Sequence, residues 1–344
     1  MRTNKFIFAL SVVIAFAIAS FAVAKDIAKE SLHSAFTAFN YMTGSVLYSA
    51  QPSITTGFKV QFSDTFIAAL AQTTSRLEKA VTDRGEINGS SFTINNVGLI
   101  EMSEVTGRYQ DKIPYPVEHA TRIAYMADFD AMVPVDRFDL AKLVADPTYK
   151  YVELLKGAAE RLKDKVIYRA LIDPVMQRTA ENGALSGISV PAGQMIAAGG
   201  TVFTKAKVIL ANSLFRANEC DSMNGEELYI MYNSDCARQI FSDTQLTSMD
   251  FLPKQMLDSG KVLENWMGFT WIPYEKLDVP AGNTKRTVAW AKSGIQFGKG
   301  IDTTVDVDVN KQKRGNPTEA YAMISVGAAR QDDKKVVIID FLTT

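Results

Sequence analysis

The spacing of apolar residues changes character several times along the chain, and each change marks an element. The first run is continuous: Phe6 to Ala24 carries no charge, follows Arg2 and Lys5, and ends in Ala22-Val23-Ala24 before Lys25-Asp26. That is the grammar of a secretory signal with an A-x-A cleavage site. The run just reaches the ~20 residues needed to cross a bilayer, so an uncleaved anchor is the second reading. No later segment is apolar enough to span. Residues 25–60 are low in charge, rich in Ser, Thr, Ala and Gly, and broken by Pro52 and Gly57, which is the composition of an arm or linker. From Val60 to Leu77 the apolar positions Phe62, Phe66, Ile67, Leu70 and Leu77 fall near one face of a predicted helix.

From Gly85 the period shortens to that of strands. Phe92-Thr93-Ile94, Val97-Gly98-Leu99-Ile100 and Thr121-Arg122-Ile123-Ala124-Tyr125 are short β-type runs, and Thr106 to Pro116 between them is polar, with Gly107 and Pro114-Tyr115-Pro116 as breakers. This predicts a long, exposed two-stranded excursion. A lone ribbon of two strands is marginal in water, so it must rest on something else. Asp146-Pro147 then opens the clearest helix, with Asp as N-cap and Pro at the first helical position, and Asp173-Pro174 closes it. Its apolar stripe is Tyr151, Leu154, Leu155, Ala158, Leu162, Val166 and Ala170, which leaves Lys156, Glu160, Arg161, Lys163 and Asp164 on the other faces. Such a helix is about 40 Å long, roughly twice the mean, and suits a strut. With Leu155, Leu162 and Val166 turned toward a sheet, Leu162→Ala is expected to cost ~2–5 kcal/mol and Lys163→Ala far less.

The remainder mixes the two periods. Phe203 to Leu214 and Cys236 to Phe241 are helical candidates; Leu228 to Tyr232 and Phe269 to Pro273 are apolar strands set among them. Thr287 to Trp290, Tyr321 to Val326 and Lys335 to Phe341 are further strands, the last two joined by the polar stretch from Arg330 to Lys334 and read as an antiparallel pair. The fold class is α+β.

Composition narrows the function. A chain that is 47% hydrophobic and 22% charged is not disordered, and 37 Lys and Arg against 38 Asp and Glu leave no cationic surplus for a polybasic nucleic-acid binder. Catalytic constellations are poor. The two histidines, His33 and His119, exclude multi-histidine metal motifs and are read as surface or interface residues. Cys220 and Cys236 lie far from C-x-x-C spacing and read as buried or incidental thiols. Gly298-Lys299-Gly300 lacks the strand-to-helix context of a dinucleotide fingerprint and reads as a turn. Asp221, Asn224, Gly225 and Glu226 miss the spacing of a calcium loop; Asp302, Asp306 and Asp308 alternate with Val305, Val307 and Val309 as in a half-buried strand. Tyr115, Tyr125, Trp266, Trp271 and Trp290 are assigned to core or interface packing. No catalytic, cofactor-binding or metal-binding residue is assigned, no cofactor is implied, and an exported hydrolase finds neither a triad nor a metal set.

The order of these features resembles the tailed-bacteriophage major capsid protein family. The pieces that follow one another in the family's order are Val60-Gln61-Phe62-Ser63-Asp64, Ser75-Arg76-Leu77 with Ala80-Val81, the β excursion ending in Asp128-Phe129-Asp130, the Asp146-Pro147 helix, and Val190-Pro191-Ala192-Gly193 before Gly199-Gly200. They continue with the stretch from Asp243 to Phe251, Met267-Gly268-Phe269, Ala289-Trp290, Phe297-Gly298-Lys299, and Ser325-Val326-Gly327-Ala328-Ala329-Arg330. The resemblance covers about residues 58–341. It implies a Hong Kong 97-like α+β capsid fold: an apolar leader over 1–24, an N-terminal arm and helix over 25–84, an extended β loop over 85–135, a peripheral domain with a spine helix over 136–204, an axial domain over 205–284, and a return to the peripheral domain over 285–344.

The function implied is self-assembly, as hexamers and pentamers of one chain, into an icosahedral shell enclosing double-stranded DNA. The implied partners are scaffolding, portal and decoration proteins and non-specific DNA, without a small-molecule substrate or an enzymatic activity. Capsid proteins are assembled in the host cytoplasm, so the leader is a departure. Three explanations are ranked: translation from Met42, a fused or processed leader, and diversion of the fold to an exported or membrane role. The competing function is an exported, envelope-associated structural or binding protein anchored through residues 1–24.

Overall fold

The computed structural model describes residues 71–102, 104, 107–108, 111, 114–115, 117–140, 148–180, 183–242, 262 and 265–343. The apolar leader, the arm with His33 and Met42, helix positions 60–70, the Asp146-Pro147 cap and residues 243–251 lie outside these. Elements begin with β1 (Thr82–Glu86), β2 (Ser91–Val97), β3 (His119–Tyr125), β4 (Ala127–Val135), the one-turn α1 (Arg137–Leu140) and the long helix α2 (Thr148–Ile172). β5 (Val175–Arg178), β6 (Ser186–Ile188), β7 (Met195–Ile196), α3 (Lys205–Ala217), β8 (Leu228–Tyr232) and α4 (Ser234–Ser242) follow. The chain closes with β9 (Asn265–Trp266), β10 (Phe269–Pro273), β11 (Asp278–Ala281), β12 (Thr284–Ala291), β13 (Ile295–Val309), β14 (Thr318–Arg330) and β15 (Val336–Leu342).

The largest sheet runs β7-β15-β12-β8-β10-β9, with β11 beside β12. Its central strands are continuous apolar runs because both faces are covered: Val288 to Ala291 and Val336 to Ile339 are buried throughout. Aromatic rings fill the layers around it, with Phe203 edge-on to Trp271 at 6.2 Å and Tyr229 stacked on Trp290 at 5.9 Å. A second sheet, β1-β13-β14-β4, is built on the long β13–β14 hairpin, and Leu155 of α2 packs on its Ala320 and Ala322. The third sheet, β2-β3-β5-β6, carries the excursion.

Several expectations are corrected. Residues 71–77 are not helical. They form a strap held by α2: the buried Asp164 accepts from Ser75 Oγ at 2.6 Å, from the backbone N–H groups of Arg76 and Leu77 at 3.1 Å, and from Gln72. A carboxylate that saturates backbone donors in this way fixes an extended path where a helix would have satisfied them itself. The deeply buried stripe of α2 is Leu155, Ala159, Lys163, Ile167 and Leu171, rotated one position from the predicted one, with Asp164 and Tyr168 beside it. Leu162 and Val166 are only half-buried. Lys163 can occupy the core face because Glu160 and Asp302 neutralise it at 2.8 and 3.0 Å.

β14 and β15 are not partners: β14 pairs β13 and β4, whereas β15 pairs β12 and β7 in another sheet. The connection between them is pinned by the wholly buried Arg330, which bonds Asp333 at 2.9 Å, so the polar stretch is a corner anchored at these two residues and not a hairpin turn. Gly298 to Gly300 lies inside β13. Strand β2 ends at Val97, so Leu99 and Ile100 are outside it.

Candidate assembly surface

The chemistry-bearing residues singled out in the sequence do not converge. Cys220 and Cys236 are free, buried thiols; burial pushes the first up to about 11 and the second to about 12, away from reactivity. His119 is exposed on β3. Asp221 caps a single 3-10 turn over Ser222–Asn224, and Glu226 is engaged by Lys335 at 2.6 Å. Asp302, Asp306 and Asp308 lie on β13, as the alternation indicated, and Asp302 serves Lys163. Among the described residues no group of three or more His, Cys, Asp or Glu is placed to hold a metal ion. Trp271 and Trp290 are core residues, Trp266 is half-buried, and Tyr115 and Tyr125 are exposed.

What does stand out is the ribbon of β2 and β3. The two strands pair antiparallel from Ser91 opposite Tyr125 to Val97 opposite His119. They rest on their own subunit through β5, which pairs β3, and through a small cluster of Phe92, Ile94, Ala124, Val175 and Ala329. Among the described residues from Val97 onward, Leu99 is 86% exposed and Met102 fully so, with Val97, Ile100 and Tyr115 more than half exposed. Apolar side chains presented in sequence at the end of a projection mark a contact surface.

At its root the ribbon lies on a glycine seam. Gly298 of β13 sits opposite Gly327 of β14. A Cβ on Gly298 would come within 2.7 Å of Ile87 Cγ1, and one on Gly327 within 2.6 Å of the Tyr125 carbonyl oxygen. These glycines permit the close approach of the ribbon to the second sheet, and glycine inside a strand is the sequence mark of such an approach.

A buried Arg–Asp–Arg set lies just beyond the seam. Arg122 of β3 donates from both Nη atoms to Asp333, at 3.1 and 2.6 Å, from Nη1 to the Arg330 carbonyl at 3.3 Å, and from Nε to Gln177 at 3.0 Å. Arg330 donates from Nη1 to the carbonyls of Leu171 and Asp173 at the end of α2, at 3.1 and 2.7 Å, and from Nη2 to Ile188 at 3.0 Å. It thus caps the helix C-terminus, where carbonyls lack intrahelical donors and favour a cation. Burial is the main influence that holds the Arg330 guanidinium below its usual range, against the pull of Asp333. With Tyr125 at Gly327, Arg122 at Arg330 and Asn96 bonded to the Gln331 carbonyl, the ribbon leaves the second sheet at the end opposite the β13–β14 turn. A groove of about 380 Å³ separates Ile123 and Tyr125 of the ribbon from Leu162 and Val166 of α2. No sequence motif announced this set, whose members are up to 211 residues apart.

A long strut, a sheet built on one long hairpin, a second larger sheet and a ribbon with an exposed apolar stretch are the architecture of a subunit built to meet other copies. The model of the phage capsid protein family matches residues 54–343, and the chain belongs to that family. Solved structures show the same fold. The Mycobacterium phage Che8 structure is 14% identical, with a TM-score of 0.62 over 81% of this chain and 96% of that one. The capsid of cyanophage P-SCSP1u is 16% identical, with a TM-score of 0.60 over 86% and 96%. The capsid of Ralstonia phage GP4 is 10% identical, with a TM-score of 0.62 over 86% and 97%. No curated protein sequence matches the chain. The fold is the Hong Kong 97-like α+β capsid fold, and the protein is a major capsid protein that self-associates into the phage head shell of the virion.

Proposed function

We propose that shell closure depends on the β2–β3 ribbon of one copy lying across a neighbouring copy. The observation that carries this is the uncovered apolar end of the ribbon, from Val97 to Met102. A monomer gains nothing from exposing it, whereas a second copy removes it from water at about 25 cal/mol for each Å² buried. In this reading residues 85–135 are the extended loop, 136–204 and 285–344 the peripheral domain, and 205–284 the axial domain, and copies join as hexamers and pentamers. Portal, scaffolding and decoration proteins complete the particle. The chain acts without catalysis. Packaged duplex is confined mechanically, because a net charge of −1 supplies no bulk attraction to phosphates.

Deleting residues 108–115 leaves β2, β3 and their support intact. The variant is expected to give a soluble subunit with near-native circular dichroism and no closed particles in negative-stain micrographs. Because the deletion leaves Val97 to Met102 in place, it is paired with a Leu99→Ser, Ile100→Ser, Met102→Ser chain; normal shells from both would remove the basis of the reading.

A further inference from the structure

The geometry points to Arg122 as a positioning residue that sets the direction in which the ribbon leaves the subunit, and through it the curvature of the shell. This rests on the reading that the ribbon joins copies. Apolar packing alone does not fix the ribbon's angle. Its cluster is small, and on the side facing α2 the groove of about 380 Å³ leaves Ile123 and Tyr125 apart from the helix. Arg122 supplies what packing lacks. Two Nη bonds to one carboxylate constrain orientation as well as distance, since the planar guanidinium and the carboxylate must align. Asp333 is itself held by Arg330 Nε at 2.9 Å, and Arg330 is fastened to the last carbonyls of α2. The ribbon is therefore referenced to the strut.

Charge counting separates this role from plain stabilisation. The set contains two guanidiniums and one carboxylate. Without Arg122, Arg330 and Asp333 remain a balanced buried pair; without Asp333, two buried cations lose their common counter-ion. Charge balance requires only one of the two arginines, and Arg330 is the one that also serves the carbonyls of Leu171, Asp173 and Ile188, which leaves Arg122 as the member balance does not require. A buried ionic group kept despite its desolvation cost is well suited to fixing one geometry.

Full-length Arg122→Met, Arg122→Lys and Asp333→Asn chains test this, read by melting, amide exchange and particle diameter in electron micrographs. Arg122→Met removes the donor from Asp333 Oδ2 and Gln177 Oε1, so it is expected to melt a few degrees below the parent but above Asp333→Asn, and to leave exchange in β12 and β15 unchanged while β2 and β3 amides exchange about tenfold faster. Its particles are expected to be open or mixed in diameter. Arg122→Lys, which keeps the charge and loses the fork, should share the particle defect, and Asp333→Asn should melt lowest. Shells of parental diameter from Arg122→Met overturn the inference, whatever the exchange shows. So does a fall in melting as large as that of Asp333→Asn with exchange rising everywhere, which marks a purely structural role. If the 108–115 deletion and the Leu99→Ser, Ile100→Ser, Met102→Ser chain also form normal shells, the ribbon reading itself has failed; if only Arg122→Met does, that reading stands and this inference falls.

Discussion

Lys163 offers the sharpest test of the packing of α2, because sequence and structure rank it oppositely. Its side chain is 5% exposed, and Nζ lies 2.8 Å from Glu160, 3.0 Å from Asp302 and 3.8 Å from Glu78. Burial, the largest single influence, pulls its pKa down, but the three carboxylates together outweigh it and hold the ammonium above its ordinary range. Removing one partner of a buried pair costs ~3–5 kcal/mol. Asp302 is 67% exposed and Glu78 keeps Lys299, so water and that second lysine take up part of the loss, leaving about 2–3 kcal/mol for Lys163→Ala. Leu162→Ala removes three carbons from a half-buried side chain beside an open groove, a transfer loss of about 1 kcal/mol without a closed cavity. In thermal melts of the soluble subunit at neutral pH, Lys163→Ala should fall by about 3–5 °C and Leu162→Ala by about 2 °C. Lys163→Met, which keeps the stem, should resemble Lys163→Ala. The sign with pH follows from the raised pKa. The contribution is complete below the unfolded value of 10.5 and disappears as pH rises through the higher folded value, so parent and variant converge only in strong alkali. A larger loss from Leu162→Ala, or parental stability in Lys163→Met, would refute the reasoning.

Two further outcomes are expected. Gly327→Ala places a Cβ within 2.6 Å of the Tyr125 carbonyl and 2.9 Å of Met126 Sδ, so it should cost ~1–3 kcal/mol in urea titrations and speed amide exchange in β3 ahead of β12. For Glu226, burial raises the pKa and is the largest single influence, but Lys335 and Ser293 outweigh it and hold the carboxyl below 4.5. Its stabilisation is present above that pH and lost as pH falls through the folded value, so the acid dependence of melting below about pH 4.5 should flatten in Glu226→Gln.

The legibility of the fold tracked how local its causes are. Strands β8 and β10 match the predicted Leu228 to Tyr232 and Phe269 to Pro273 to the residue, because a short apolar run, here with Phe269 and Trp271 alternating into the core, carries its own signal. The closing Asp173-Pro174 stops α2 at Ile172 for an equally local reason. Partnerships were another matter. Nothing near Lys163 announces that Asp302, 139 residues on, will neutralise it, so an amphipathic pattern assigns it to solvent. The pairing of the last two strands failed because proximity in sequence favours a hairpin, while Arg330 turns the chain into another sheet. Gly298 and Gly300 did carry a readable signal: glycines set among β-formers mark close backbone approach as well as turns. The family was legible through the order of many short pieces, whereas the Arg122, Asp333 and Arg330 set has no motif to find.

One group of buried charges in this subunit is gathered along α2. Asp164 binds the strap over residues 72–77 to α2, Lys163 joins α2 to β13, and Arg330 with Asp333 and Arg122 ties the end of α2 to the ribbon. Each stands at a joint between elements, whereas the buried Lys207, Gln239 and Thr287 at the large sheet bond backbone carbonyls within it or at its edge. Hydrophobic contact is non-directional and tolerates small rotations, while a hydrogen bond weakens steeply away from linearity. Many copies must meet at fixed angles to close a shell, so an angular error in one subunit is repeated in every copy. Desolvating charges at the joints costs stability that apolar contacts would have spared, and what it returns is angle.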